Sequence, residues 1–255
     1  MDLPRNAFKA ALIEGRQQLG LWCTLSSPYA TEVVAGAGYD WLLLDTEHSP
    51  AELTTVLAQL QAVSAYPVSP VVRPAANDTV LIKRLLDIGA QSLLIPYVQN
   101  AEEARAAVAA TRYPPEGIRG VSALTRATRF GRVKNYAREA ARELCLLVQV
   151  ETQEALDQID AIAAVEGVDG IFIGPGDLSA SMGLLHQPTH PKVVEAIEDG
   201  LRRIRAAGNR GGVLVVGDEA LARRYMAAGS VFTAVGVDAA LFARSAETLA
   251  KQYKA

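Results

Sequence analysis

The polar residues of this chain that could do chemistry sit where short apolar runs end. Leu44-Asp45-Thr46-Glu47-His48 closes one run, Val72-Arg73-Pro74 another, and Val148-Gln149-Val150-Glu151 a third. Ile173-Gly174-Pro175-Gly176-Asp177 closes a fourth, and two more end in Leu214-Val215-Val216 and Gly236-Val237-Asp238. Glu151 and Asp177 lie 26 residues apart on neighbouring predicted strands, so their carboxylates can converge. Converging carboxylates repel unless a cation joins them, and oxygen-only ligands favour a hard, six-coordinate divalent ion such as Mg²⁺ or Mn²⁺. The ordinary alternative is a pair of solvated loop carboxylates with salt-bridge partners. His48 is the one histidine at a run's end and is a candidate base, because imidazole titrates near neutrality. Asp45, Glu47 and Asp87 are candidates to orient it. Arg73 could be a structural ion-pair partner, yet its planar fork also suits a substrate carboxylate or a developing enolate oxygen.

These residues need a scaffold that brings run ends together. Five times an amphipathic stretch ends in glycine and a short apolar run follows: at Gly38, Gly89, Gly167, Gly208 and Gly229. Glycine just past a helix adopts the left-handed conformation that caps the last carbonyls. Further strands at Gly20–Leu25, Val68–Arg73 and Leu144–Gln149 bring the count to eight, with helical segments such as 51–64, 80–88, 101–111 and 192–207 between them. The runs are continuous Val/Ile/Leu, as expected of parallel strands buried on both faces. Eight such units in 255 residues predict a single α/β domain over 1–255, a (β/α)₈ TIM barrel. A doubly wound open sheet is the alternative, since periodicity does not reveal closure. The segment Tyr113–Asn135, rich in Pro, Gly and Arg, reads as a candidate active-site loop.

Composition narrows the function classes. Half the residues are apolar and 21% charged, and 25 basic against 28 acidic residues give a net charge of −3, which disfavours a nucleic-acid binder. No apolar run exceeds five residues, so no membrane span is expected. Charged residues crowd the first sixteen positions, and the two cysteines, Cys23 and Cys145, lie in apolar runs; a cytoplasmic protein with reduced thiols is expected. The six lysines (9, 83, 134, 192, 251 and 254) avoid every predicted strand end, which argues against Schiff-base chemistry. His186 and His190 lie in a Pro-containing loop and read as surface residues.

Several stretches resemble the HpcH/HpaI aldolases, the metal-dependent pyruvate aldolases. They are Leu44 to Pro50, Val71-Val72-Arg73-Pro74, Tyr113 to Gly120, Gln149-Val150-Glu151-Thr152 and Phe172 to Ser179, in order and at matching spacing from about Gly20 to the last helix. The resemblance implies a barrel of the phosphoenolpyruvate/pyruvate type, its C-terminal helix swapped between subunits of a homo-hexamer (a trimer of dimers). It implies that Glu151 and Asp177 bind Mg²⁺, Mn²⁺ or Co²⁺, and that His48 is the base, acting through a metal-bound water with Asp45 and Asp87 raising its basicity. It further implies that Arg73 stabilises the enolate, that Gln149, Gly176 and Asp177 hold pyruvate, and that Leu214 and Val237 flank the aldehyde. The chain departs from a compared family member at Thr46 (Gly there), at Gly176 (Ala there) and in the loop 121–126, one residue shorter.

The expected reaction is reversible cleavage of a 4-hydroxy-2-oxo acid, such as 4-hydroxy-2-oxoheptane-1,7-dioate, to pyruvate and an aldehyde such as succinic semialdehyde, a step of aromatic-compound catabolism. The alternatives are a citrate-lyase-type enzyme on an acyl-CoA substrate, a 2-dehydro-3-deoxy-sugar-acid aldolase, and a non-catalytic barrel that binds a 2-oxo acid.

Overall fold

In the computed structural model, which describes residues 1–254, eight parallel strands close on themselves in chain order. They are β1 (Gln18–Cys23), β2 (Trp41–Asp45), β3 (Ser69–Arg73), β4 (Ser92–Ile95), β5 (Cys145–Val150), β6 (Gly170–Ile173), β7 (Gly211–Leu214) and β8 (Ser230–Val237). The expected barrel is therefore the observed one, and the open sheet is excluded by the β1–β8 pairing. Around it run α1 (Ala7–Ile13), α2 (Pro28–Ala35), α3 (Leu53–Ala62), α4 (Thr79–Asp87), α5 (Ala101–Thr111) and α6 (Tyr136–Glu143). They continue with α7 (Gln153–Asp157), α8 (Ile159–Ala163), α9 (Pro175–Ser181), α10 (Pro191–Ala206), α11 (Glu219–Ala228) and α12 (Asp238–Tyr253).

Two apolar clusters follow from strand alternation. Outward residues such as Leu42, Leu44, Val72, Leu146, Val148 and Ile171 pack under the helices. Inward residues Trp41, Leu43, Val71, Leu147, Phe172 and Phe232 fill the barrel, and α1 seals its N-terminal end by inserting Phe8 and Leu12. The ring of Phe8 lies 5.7 Å from Trp41 and 6.0 Å from Phe232. Gly20 and Gly212 make room for these aromatics, because a Cβ at either would collide with the ring of Trp41 or Phe232.

The inward alternation continues upward into polar residues. Leu43 is followed on the same face by Asp45, Val71 by Arg73, and Leu147 by Gln149 and then Glu151. Strand register sets Asp45 directly beside Arg73 across β2 and β3. The functional residues are thus the top layer of the barrel filling.

Two elements depart from a regular outer ring. The segment Tyr113–Asn135, expected at the mouth, follows the far end of α5 and lies at the N-terminal end of the barrel. There Tyr113, Ala127, Val133 and Tyr136 form a small cluster of their own. In α12, only Asp238 is buried, and from Leu241 onward every described residue except Ala243 is exposed. Asp238 anchors its first turn by accepting from the amides of Thr24 at 2.8 Å and Leu25 at 3.2 Å. The groove that an eighth helix would cover is open instead, a cavity of about 500 Å³ whose apolar lining includes Leu19, Val215, Ala222, Met226 and Val235. No helix among the described residues is long and apolar enough to cross a membrane.

Candidate active site

Asp45 is the fixed point of the site. Its Oδ1 accepts from Arg73 Nε at 2.8 Å and from the Glu47 amide at 3.0 Å; its Oδ2 accepts from Arg73 Nη2 at 2.7 Å and from Trp22 Nε1 at 3.3 Å. Burial alone would push this carboxyl up, but the hydrogen bonds and charge of Arg73 outweigh it and hold Asp45 below the usual carboxylate range. Arg73 is 5% exposed and its guanidinium sits 5.0 Å from the centre of the Trp22 ring, a cation–π contact. Its remaining nitrogen, Nη1, donates to Gln149 Oε1 at 3.4 Å and lies 2.7 Å from Glu47 Oε2. The second contact is too oblique for a hydrogen bond and leaves Glu47 Oε2 buried without one.

Gln149 carries the network onward. Its Nε2 donates to Glu151 Oε2 at 2.6 Å, while Glu151 Oε1 accepts from the Tyr97 amide at 2.9 Å. Glu151 is 2% exposed. Burial, then the charges of Asp177 and Glu47, push its carboxyl up to about 8. Glu47 is likewise raised, by burial first, with Arg73 and His48 opposing. Glu151 thus carries the repulsion of Asp177 and of Glu47, and Glu47 has an unbonded buried oxygen. That donor set, all oxygen with excess negative charge, fits a hard divalent cation. Gly174 keeps the corner open, since a Cβ there would come within 2.7 Å of Glu151 Oε2.

The other expected residues fall as follows. Gly176 and Asp177 lie in the first turn of α9, and a Cβ at Gly176 would meet nothing within 4 Å, so an alanine there would also fit. Leu214 and Val237 end β7 and β8, half-buried against the inward cluster, with Val237 in register with Trp22. His48 stands on the loop after β2, 68% exposed, with Nε2 4.0 Å from Glu47 Oε2. Thr46 ties the loop to β3, its amide and hydroxyl both donating to the Arg73 carbonyl at 3.0 and 2.6 Å.

Two expectations are not met within this chain. Asp45 spends its lone pairs on Arg73, Trp22 and the Glu47 amide, so it orients the arginine and does not touch His48. Asp87 ends α4 at the opposite end of the barrel, where it accepts from Arg119 Nη2 at 2.9 Å. The carboxylate that adjoins His48 is Glu47. Trp22 carries no ionisable group, so ionisable strand ends do not point to it; its position near the end of β1 is the available signal. His190 caps α10, its Nδ1 accepting from the Lys192 amide at 3.3 Å.

A chain of buried polar groups runs unbroken from Trp22 to the Tyr97 amide across the mouth of a closed barrel. The sequence profile of the HpcH/HpaI aldolase/citrate lyase family matches residues 18–245. This chain belongs to that family. A relative from Rhizobium etli, named pyruvate aldolase, is 63% identical over 253 residues, 99% of each chain. A 4-hydroxy-2-oxo-heptane-1,7-dioate aldolase of Salmonella heidelberg is 58% identical over 252 residues, 98% of this chain and 95% of the relative. Among solved structures, an HpcH/HpaI aldolase/citrate lyase family protein from Burkholderia cenocepacia superposes with a TM-score of 0.93 at 38% identity, over 98% of this chain and 100% of that one. The HpcH/HpaI aldolases are class II, metal-dependent pyruvate aldolases, so this chain is an enzyme of the lyase class.

Proposed function

We propose that this HpcH/HpaI enzyme reversibly cleaves 4-hydroxy-2-oxo acids between C3 and C4, with 4-hydroxy-2-oxoheptane-1,7-dioate as substrate and pyruvate and succinic semialdehyde as products. The observation that carries the reading is the Asp45–Arg73–Gln149–Glu151 network, which aims an immobilised cation at a corner crowded by carboxylates. Relatives at 58% and 63% identity that are named for this chemistry support it.

Glu151 and Asp177 would hold a divalent ion, Mg²⁺, Mn²⁺ or Co²⁺, with Glu47 adding charge beside them. When bound, such an ion polarises the 2-oxo group as a Lewis acid. Arg73, fixed by Asp45 and Trp22, turns its Nη1 toward the oxygen on which enolate charge develops, a preorganised donor that needs no reorientation during reaction. Gln149 and the backbone at Gly176 and Asp177 orient the pyruvate moiety. In cleavage His48 accepts the 4-hydroxyl proton, the C3–C4 electron pair passes to C3, and the aldehyde leaves; the proton is returned to C3 to complete pyruvate. Leu214 and Val237 flank the departing aldehyde. The enzyme works in the cytoplasm in aromatic-compound breakdown, as a hexamer in which α12 crosses into the open groove of another subunit; the exposed apolar side chains of α12 support that assembly.

The deciding experiment is exchange of pyruvate methyl protons in D₂O, followed by NMR with chelated protein and then with added Mg²⁺ or Mn²⁺. Metal-dependent exchange that disappears in His48→Ala is the expected result. No exchange with any metal overturns the reading and redirects the search to acyl-CoA substrates.

A further inference from the structure

At the end of the barrel away from the carboxylate corner, a cavity of about 430 Å³ opens where the starts of β3 and β4 meet α1 and the segment after Gly120. Ser69 borders it while Arg73, at the other end of β3, faces the active site, a separation of about 13 Å along the strand. Arg5, Arg126 and Arg129 line this cavity, and no aspartate or glutamate does. Among the described residues none of the three guanidinium groups pairs with a carboxylate. The chain carries more acidic than basic residues, so three cations without one acid is a local arrangement and not a reflection of composition.

Arg126 is built into place. Its Nη1 donates to the Ile88 carbonyl at 2.8 Å and crosses Gly89, where a Cβ would stand 2.7 Å from that nitrogen. Gly89 has φ of +95°, so the glycine that ends α4 also admits the guanidinium. Burial and the charge of Arg129 both disfavour protonated Arg126, and no carboxylate offsets them. Like charges held together without an opposite one are the mirror image of the carboxylate corner, and an anion relieves them in the same way.

We propose that this cavity is a binding site for a phosphate dianion, free or as the headgroup of a small monoester. Guanidinium forks match phosphate oxygens two at a time, which a single lysine does not do. The volume exceeds what bare phosphate needs and lies in the range of small-molecule pockets, leaving room for an organic remainder. The site is independent of the aldolase reading, because none of its residues reaches the mouth.

The test is titration of chelated, metal-free protein with inorganic phosphate by calorimetry, and separately with glycerol 3-phosphate. Saturable binding at one site per chain is expected, weakened about tenfold in Arg126→Gln or Arg129→Gln and weakened by added NaCl. Arg129 is exposed, so its variant folds even where Arg126→Gln does not. Tighter binding of the monoester assigns the site to an organic phosphate; equal binding assigns it to the free ion. Pyruvate proton exchange is expected to be unchanged in Arg129→Gln. Three results overturn the proposal: no saturable binding; equal binding in the variants, which means an adventitious ion only; or a change of oligomeric mass in the variants, which places these guanidiniums against another copy of the chain.

Discussion

Asp45 grips Arg73 with both carboxylate oxygens, at 2.8 Å from Nε and 2.7 Å from Nη2, and the pair is almost completely buried. An ionised carboxyl held below its ordinary pKa contributes stability above the unfolded pKa, near 3.9, and loses it as pH falls through the lower folded value. Asp45→Asn leaves Arg73 buried with its fork unmatched and is expected to cost about 3–5 kcal/mol at neutral pH. Urea unfolding at several pH values checks this: the gap between variant and parent should narrow below about pH 4.

Arg73→Lys keeps one positive charge and loses the fork. A lysine offers one nitrogen where Arg73 places two on Asp45 and aims a third toward the enolate oxygen, so kcat is expected to fall on the order of 10²–10³-fold. Steady-state cleavage kinetics decide it, and near-normal kcat would contradict the role given to Arg73.

Trp22→Phe retains an aromatic face under Arg73 but removes the N–H that bonds Asp45. The expected effect is a fall in kcat of about tenfold with little change in KM, from the loss of one hydrogen bond to a charged group. Trp22→Leu removes the ring as well and should fall further. Equal effects of the two variants would show that the indole fills space and nothing more.

Glu151→Gln removes one of the crowded carboxylates with little change of shape. In the parent, a divalent ion at a hundredfold excess over its Kd should add about 2.7 kcal/mol of stability, seen as a rise in Tm. That rise should vanish in the variant, while the chelated variant melts no lower than the chelated parent.

Cys23 and Cys145 are 1% exposed, and burial pushes both thiols well above their usual pKa. Neither should react with a thiol reagent in mildly alkaline buffer until the protein is unfolded, when both should. Counting labelled thiols by mass spectrometry measures this directly.

The strands were legible because parallel strands covered on both faces must be apolar along their length, and 41–44, 144–148 and 170–174 are. The glycines were legible too: Gly38, Gly89, Gly167, Gly208 and Gly229 all have positive φ. Lying at strand ends was enough to bring Asp45, Arg73, Gln149 and Glu151 together, since alternation then fixes which way they point. Trp22 was not legible, because an indole acts here through a single N–H and its π-face and carries no charge to attract notice. Nor was the placement of Asp87 or of Tyr113–Asn135, which depends on which end of the barrel a connection occupies. The separation of α12 from the barrel came from the family resemblance and not from periodicity: a helical period reveals an apolar face and is silent about which groove receives it.

Because Asp45, Arg73 and Gln149 continue the alternation that stacks Leu43, Val71 and Leu147 inside the barrel, chemistry and solidity share one column of side chains. Engineering of this enzyme therefore has two zones. Outward-facing residues of the surrounding helices can be rewritten for solubility or heat tolerance with little effect on turnover. Any repacking beneath Arg73, even a swap that raises the melting point, will be read out first as a change in rate.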